Sequence, residues 1–232
     1  MQKGKLYLIP TILSDEAFHV IPAYVHTITN LLRIFFAENE KTTRRYLRKT
    51  GFIRSFDETT ILPLNEHTAE TDFASYADHL LQGNDCGLLS EAGIPAVADP
   101  GSGFVQLCHQ NNVQVIPLVG PSSIILALMA SGLNGQHFCF HGYIPVKQPA
   151  RNTFLEKMQQ RAKTGETQIF IETPYRNNSL IADVLSVCKD NVLFCIASDL
   201  TGKKESVQTK NMAEWRKIKP VLEKIPTIFL LG

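Results

Sequence analysis

The chain has 232 residues, 44% hydrophobic and 19% charged, with a formal net charge of +1. This composition fits an ordinary globular protein of one large or two small domains, and the charge balance by itself names no partner. No apolar run approaches the ~20 residues that cross a bilayer, and the N-terminus lacks the basic, apolar and small-residue layout of a signal peptide, so no membrane partner is expected and the cytoplasm is the expected compartment. The five cysteines, Cys86, Cys108, Cys139, Cys188 and Cys195, are odd in number and mostly lie in apolar segments. They read as reduced core thiols.

In chain order, Lys5 to Ile9 reads as a first strand, and Pro10-Thr11-Ile12-Leu13 turns out of it. Ile21-Pro22 suggests a helix start, with proline where no amide donor is needed, and that helix runs to about Asn30. Leu31 to Ala37 is a second buried strand, and Glu38 to Thr50 a helix stopped by Gly51. In that helix Lys41, Arg44, Arg45, Arg48 and Lys49 stand at i, i+3, i+4, i+7 and i+8, along one face. Such a stripe is either a polyanion-binding surface or a solvated helix face. Thr60 to Leu64 is a third strand, and a helix follows from after Thr68 to Gly83. His67, in the loop between them, has the pKa range of a general acid or base, while a lone loop histidine is also commonly structural.

Next comes the stretch Leu88 to Phe104, on which the reading turns. An apolar run after the Gly83-Asn84-Asp85 turn is a buried strand ending near Ser90, and a loop rich in Gly, Ala and Pro follows. Ligands of open α/β sheets bind beyond the carboxyl ends of strands, and Gly93, Gly101 and Gly103 remove the Cβ atoms that keep a ligand off the main chain. This reads as a binding loop, against the plainer alternative of a tight connection to the next helix. The Gly-x-Gly-x-x-Gly and Gly-x-x-x-x-Gly-Lys patterns are absent, although Gly101-Ser102-Gly103 at a helix start would suit an anion.

Gly103 to Gln110 reads as a helix and Val113 to Leu118 as a fifth strand. The strand and helix alternation predicts a first domain, 1–118, with a mostly parallel sheet covered on both faces. Gly120-Pro121 opens the next helix. Ser123 to Ser131 is apolar almost all round, which predicts burial at the junction of two domains. The second domain, 119–232, has strand candidates at Phe138 to Tyr143, Gln168 to Glu172, Val192 to Ser198, Ser206 to Thr209 and Thr227 to Leu231. Helices fit at Arg151 to Lys163, Asn178 to Val187 and Met212 to Lys219, and a mixed sheet is expected. His137, Cys139 and His141 would share one strand face, but a fourth ligand is not evident and alternating core strands produce the same pattern, so no metal is predicted.

Ser90-Glu91-Ala92-Gly93-Ile94-Pro95, followed by Asp99-Pro100-Gly101 and Val119-Gly120-Pro121-Ser122-Ser123, resembles the tetrapyrrole methylase superfamily of S-adenosylmethionine-dependent methyltransferases. Within it the likeness is greatest to the small-subunit rRNA ribose 2′-O-methyltransferases, and it runs from Gly4-Lys5-Leu6-Tyr7 to Thr227-Ile228-Phe229-Leu230-Leu231-Gly232. Phe140-His141-Gly142-Tyr143-Ile144-Pro145-Val146-Lys147 is similar to the family's Phe-x-Gly-Phe-Leu-Pro-x-Lys. Glu172-Thr173-Pro174-Tyr175-Arg176 is similar to its Glu-Ser-Pro-His-Arg, with Tyr175 in place of His. Other segments depart from the pattern. Ile12-Leu13-Ser14-Asp15 replaces Pro-Ile-Gly-Asn, and Ala37-Glu38-Asn39-Glu40-Lys41 replaces Ala-Glu-Asp-Thr-Arg. Only Asn65-Glu66 remains of a His and Asn-Glu cluster, and Asp199-Leu200-Thr201-Gly202-Lys203-Lys204-Glu205 replaces Glu-Leu-Thr-Lys-x-x-Glu. The cofactor-side motifs are largely kept and the substrate-side motifs altered.

The resemblance implies two α/β domains, S-adenosylmethionine in a cleft between them, and a homodimer. The expected cofactor contacts are Pro10, Ser90, Glu91, Ala92, Gly93, Val97, Ala98, Pro121, Ser122, Ser123 and Tyr143. A ribose hydroxyl is a poor nucleophile at neutral pH, so Glu38 as base and Lys41 as a cation for the developing alkoxide are the catalytic candidates; their plainer role is an ion-paired strand end. Arg44, Arg45, Arg48, Arg176 and Lys203 are the substrate-binding candidates, with structured RNA, rRNA in particular, as the expected partner. Arg176 beside Glu172 also reads as a structural ion pair, and Lys203-Lys204 as a solvated pair. Two other functions remain open: methylation of a small, tetrapyrrole-like molecule, and a non-catalytic module that binds the cofactor or RNA.

Overall fold

Short apolar runs separated by helical repeats build two sheets. The computed structural model describes residues 2–232, the Glu70 side chain excepted, and divides into two units, Met1–Ser122 and Ser123–Gly232. In the first, strands β1 (Lys5–Ile9), β2 (Ile34–Ala37), β3 (Thr60–Pro63), β4 (Cys86–Leu89) and β5 (Gln114–Pro117) pair in the order β3-β2-β4-β1-β5. Every pairing is parallel.

Adjacent strand residues face opposite ways, so the sheet feeds two cores. Phe35 and Leu89 join Val25, Tyr46 and Leu47 in one apolar cluster, which belongs to helices α1 (Ala23–Leu31) and α2 (Glu40–Lys49). Phe36 and Leu88 join Tyr76, Leu80, Phe104 and Cys108 in the other, beneath α3 (Glu70–Leu81) and α4 (Ser102–Gln110). The Phe36 ring centre lies 4.8 Å from that of Phe104 and 5.2 Å from that of Tyr76. Gly87 lets the central strand pack closely: a Cβ there would lie 2.6 Å from Ile9 Cδ1 and 2.9 Å from Phe35 Cδ1, so those side chains would have to shift.

Two boundaries differ from the sequence expectation in ways that matter. Pro22 is the cap before α1 rather than its first residue, and α1 continues through Leu31, so the strand expected from Leu31 begins at Ile34. Leu31 is 70% exposed, an apolar side chain on a helix end that hydropathy alone assigns to the following strand. The expected helix from Glu38 begins at Glu40, because the Asn39 side chain accepts hydrogen bonds from the Lys41 and Thr42 amides at 3.0 and 3.2 Å. Glu38 is therefore left in the loop.

The second unit comprises α5 (Ser123–Ser131), β6 (Phe138–Tyr143), α6 (Ala150–Ala162), β7 (Thr167–Ile171), α7 (Asn177–Val187), β8 (Leu193–Ser198), β9 (Ser206–Asn211), α8 (Met212–Ile218) and β10 (Thr227–Leu231). Its sheet runs β6-β7-β10-β8-β9 and is mixed: β6 and β7 are parallel, and the other neighbours antiparallel. Phe229 stacks between Phe170 and Phe194, with ring centres 5.7 and 5.9 Å away, in a core completed by Leu155, Leu180, Val184 and Trp215 from α6, α7 and α8. The Trp215 indole N–H donates to the Phe194 carbonyl at 2.7 Å, which satisfies its polar edge.

Helix α5 lies against β8, β9 and β10 and is not buried all round as its composition predicts. Ile124, Ala127, Leu128 and Ser131 are buried, while Ile125 is 50% and Met129 74% exposed. A helix laid on a sheet has one face against it, so apolar composition overstates its burial. The cysteines are free, and burial pushes the Cys86, Cys108 and Cys188 thiols up to about 12. Among the described residues no helix is long and apolar enough to cross a membrane.

Candidate functional site

In the parallel sheet the chain leaves β2 toward the outer strand β3, and leaves the neighbouring β4 toward β5 on the other side. Adjacent strands whose connections diverge form a topological switch point, where open α/β sheets bind ligands beyond the strand carboxyl ends. Glu38 and Asn39 follow β2 at this edge, and the loop 90–101 follows β4.

Side-chain and backbone bonds tie these segments together. Glu38 Oε2 accepts from the Glu91 amide at 3.1 Å, and Glu91 Oε1 accepts from the Thr42 hydroxyl at 3.4 Å. The Thr11 amide donates to the Gly93 carbonyl at 2.8 Å, and its hydroxyl to the Ser90 carbonyl at 3.4 Å. The buried Tyr46 hydroxyl donates to the Pro10 carbonyl at 2.8 Å, and burial raises its pKa above the ordinary phenol value. Gly120 packs so closely that a Cβ would sit 2.1 Å from Pro10 Cβ. Pro10, Ser90, Gly93 and Pro121 are buried parts of this knot, whereas Glu91, Ala92, Val97 and Ala98 are exposed on it. Ser122 is half-buried at the end of the same unit, and Ser123 opens α5.

Gly93 adopts φ +78°, and a Cβ would lie 3.1 Å from Leu13 Cδ2 and 3.4 Å from the Pro121 carbonyl oxygen. Its role is conformational as well as permissive. Gly93→Val is expected to lower stability by about 1–3 kcal/mol, because a β-branched residue is strained in that backbone region. The measurement is a urea titration, read as a lower midpoint at unchanged slope.

Asp99 is the residue that motif reading passed over. Burial first, and then the charges of Glu38 and Glu91, raise its carboxyl pKa to about 6, a hydrogen bond with Ser90 partly opposing them. Residues 96 and 98, both alanines, take φ of 65° and 62°, local left-handed turns that lead the loop into Asp99. The sequence signal was an aspartate before proline in a glycine-rich loop; its neighbours across the loop were not legible. Glu38, Glu91 and Asp99 give this sheet edge a negative character suited to a cationic ligand.

The basic stripe on α2 is divided by two aromatic rings. The Arg44 and Arg48 guanidinium carbons lie 5.1 and 5.0 Å from the centre of Phe56, and Lys49 Nζ 5.5 Å from that of Phe18. Arg44 also pairs with Glu40 at 2.7 Å, and Arg45 with Asp15 at 3.3 Å. Lys41 is exposed in the first turn. These pairs are exposed and contribute little to stability.

In the second unit, Tyr143 ends β6 and is 62% exposed. Arg176 is ion-paired: its Nη2 donates to Glu172 at 2.6 Å. Glu172 is buried and also accepts from Arg151 at 3.1 Å. Arg151, 2% exposed, was missed in the sequence because it sat among ordinary helix-start charges. Lys203 is exposed in the turn between β8 and β9. His141 shares a hydrogen bond with Gln168 at 2.8 Å, and His137 faces Glu166 at 3.9 Å. Among the described residues no group of three or more His, Cys, Asp or Glu side chains is arranged to hold a metal ion. His67 is exposed beside Glu66.

No family model matches the chain. Curated relatives do. The Ribosomal RNA small subunit methyltransferase I of Vibrio cholerae is 36% identical over 156 residues, 67% of this chain and 53% of the relative. That of Streptococcus pyogenes is 31% identical over 216 residues, 91% of this chain and 70% of the relative. The chain belongs to the ribosomal RNA small subunit methyltransferase I family. It spans about half the length of the Vibrio cholerae and Haemophilus influenzae members, 53% and 54%.

Solved structures share the fold at low identity. The methyltransferase CobJ superposes with a TM-score of 0.63 at 15% identity, covering 99% of this chain and 94% of that one. Uroporphyrin III C-methyl transferase from Thermus thermophilus gives 0.58 at 14% identity, covering 99% and 97%. The chain thus shares its fold with these two structures, and at its switch point Glu38, after β2, accepts from the Glu91 amide in the loop after β4.

Proposed function

We propose that the protein is an S-adenosylmethionine-dependent methyltransferase acting on a ribose 2′-hydroxyl of small-subunit rRNA. The observation that carries this reading is family membership, at 31% identity over 91% of the chain in the Streptococcus pyogenes comparison. The residues at the β2/β4 edge fit the donor. Its ammonium and sulfonium are both cationic and suit the carboxylates of Glu38, Glu91 and Asp99. The exposed backbone at Ala92, Val97 and Ala98 suits the polar edges of a nucleoside. Bound there, S-adenosylmethionine supplies an electrophilic methyl group on a positively charged sulfur.

The side chains divide the remaining work. Asp99, with a pKa of about 6, is mostly ionised at neutral pH and more basic than an ordinary carboxylate, so it is the proposed acceptor of the hydroxyl proton. Ser90 orients it. Glu38, engaged by the Glu91 amide, holds the loop in place and keeps Asp99 basic. Lys41 offsets negative charge on the attacking oxygen or its phosphate. Arg44, Arg45 and Arg48 contact the RNA backbone. Much of the acceleration comes from alignment of the two reactants.

The test pairs calorimetric binding of S-adenosylmethionine with transfer of labelled methyl to unmodified small-subunit rRNA and to a tetrapyrrole acceptor. Micromolar cofactor binding with label in rRNA is the expected result. Label in the tetrapyrrole alone, or binding without transfer to either acceptor, would replace the reading with small-molecule methylation or a non-catalytic module. No binding at millimolar cofactor removes it.

A further inference from the structure

We propose that Tyr143, Tyr175 and Arg176 form a platform on which an unpaired nucleobase of the RNA substrate stacks, an inference that rests on the rRNA-modifying reading above. Strands β6 and β7 are parallel neighbours with Tyr143 opposite Ile171, so the segments that leave them emerge at the same edge of the sheet. After β7 the chain passes Glu172 and Thr173 into a 3-10 turn, Pro174–Arg176. Tyr143 and Tyr175 are 62% and 66% exposed, an unusual placement for two large aromatic residues on one edge.

The platform is fixed from beneath. The Arg176 guanidinium carbon lies 4.9 Å from the centre of the Tyr175 ring, and its Nη1 donates to the Tyr175 hydroxyl at 2.8 Å. Glu172 accepts from Arg176 at 2.6 Å, from Arg151 at 3.1 Å and from the Thr173 amide at 2.7 Å. The buried Arg151 then donates to the Pro145 carbonyl at 2.8 Å and to Asp183 at 2.8 Å. One internal arginine thus joins the segment after Tyr143 to the turn carrying Tyr175.

Rigid, exposed aromatic faces beside a guanidinium are the recognition chemistry of single-stranded RNA, where unstacked bases lie on Tyr rings or Arg planes. A phosphate alone would need no exposed ring. A tightly paired duplex would offer no free base face. Tyr143 is thereby assigned to the acceptor rather than to the cofactor.

The probe is a single-stranded segment of small-subunit rRNA carrying 2-aminopurine, titrated with the full chain, Tyr175→Ala and Tyr175→Phe, with thermal denaturation as the folding control. Cofactor calorimetry and methyl transfer are run alongside. The parent and Tyr175→Phe should quench the probe, and Tyr175→Ala should bind it ~10- to 100-fold more weakly. Its KM for rRNA should rise by more than its kcat falls, with cofactor affinity retained. A folded Tyr175→Ala with parental RNA affinity and quenching overturns the platform, even if methyl transfer is found. Tyr175-dependent binding and quenching without transfer by the parent supports the platform and removes the activity reading instead.

Discussion

Asp99→Asn is expected to slow methyl transfer to rRNA by ~10²- to 10⁴-fold, the usual range for loss of a positioned general base. The pH profile gives the sharper check. The base works when ionised, so the parental rate should rise through the Asp99 pKa of about 6 and level off above it. The variant should lose that rise. The stability effect has the opposite sign. The folded pKa lies above the ordinary value of 3.8 that the unfolded chain keeps, so the folded state binds the proton more tightly, and the stabilisation by protonation is present at low pH and lost as pH rises from about 4 to 6. At pH 8 the variant, relieved of a buried anion beside Glu38 and Glu91, should be more stable than the parent by about 1–3 kcal/mol. Such a trade of stability for activity is common at functional sites. A variant within threefold of the parental rate across pH 5–9 would remove Asp99 from the mechanism.

Arg151→Met should cost about 3 kcal/mol or more of folding stability at neutral pH, because it removes one partner of a buried ion pair and strands charge in the core. Glu172 retains Arg176, but Asp183 and the Pro145 carbonyl lose the donors that Arg151 provides. Burial by itself would raise the Glu172 pKa; the Arg176 hydrogen bond, the Thr173 amide and the two guanidinium charges outweigh it and hold the carboxyl below the ordinary value of 4.5. The stabilisation from this cluster is thus present above pH ~4.5 and lost as pH falls through the lowered pKa. The parent and Arg151→Met should therefore differ less in acid than at pH 7. Urea midpoints at pH 7 and pH 4 measure both effects. A loss under 1 kcal/mol at pH 7 would show that the network carries little of the fold.

By itself the sequence determined the alternation of strands and helices, the parallel character of the first sheet and the mixed character of the second. Those features follow from local periodicity: Phe35 and Phe36 face opposite cores because neighbouring strand residues must. It also determined the family, because the segment from Ser90 to Gly101 is contiguous. Tertiary structure decided what depends on residues distant in the chain. The order β3-β2-β4-β1-β5 brings Glu38 beside Glu91, and that juxtaposition occupies the expected base while raising Asp99. Arg151 looked like a surface helix charge until α6 packed it over Glu172. The cations of α2 kept their predicted spacing, yet Phe56 and Phe18, from other segments, divided them. Burial periodicity is a property of neighbouring residues. A pKa or an ion pair is a property of whatever the fold places within a few ångströms, where Coulomb and desolvation energies are large.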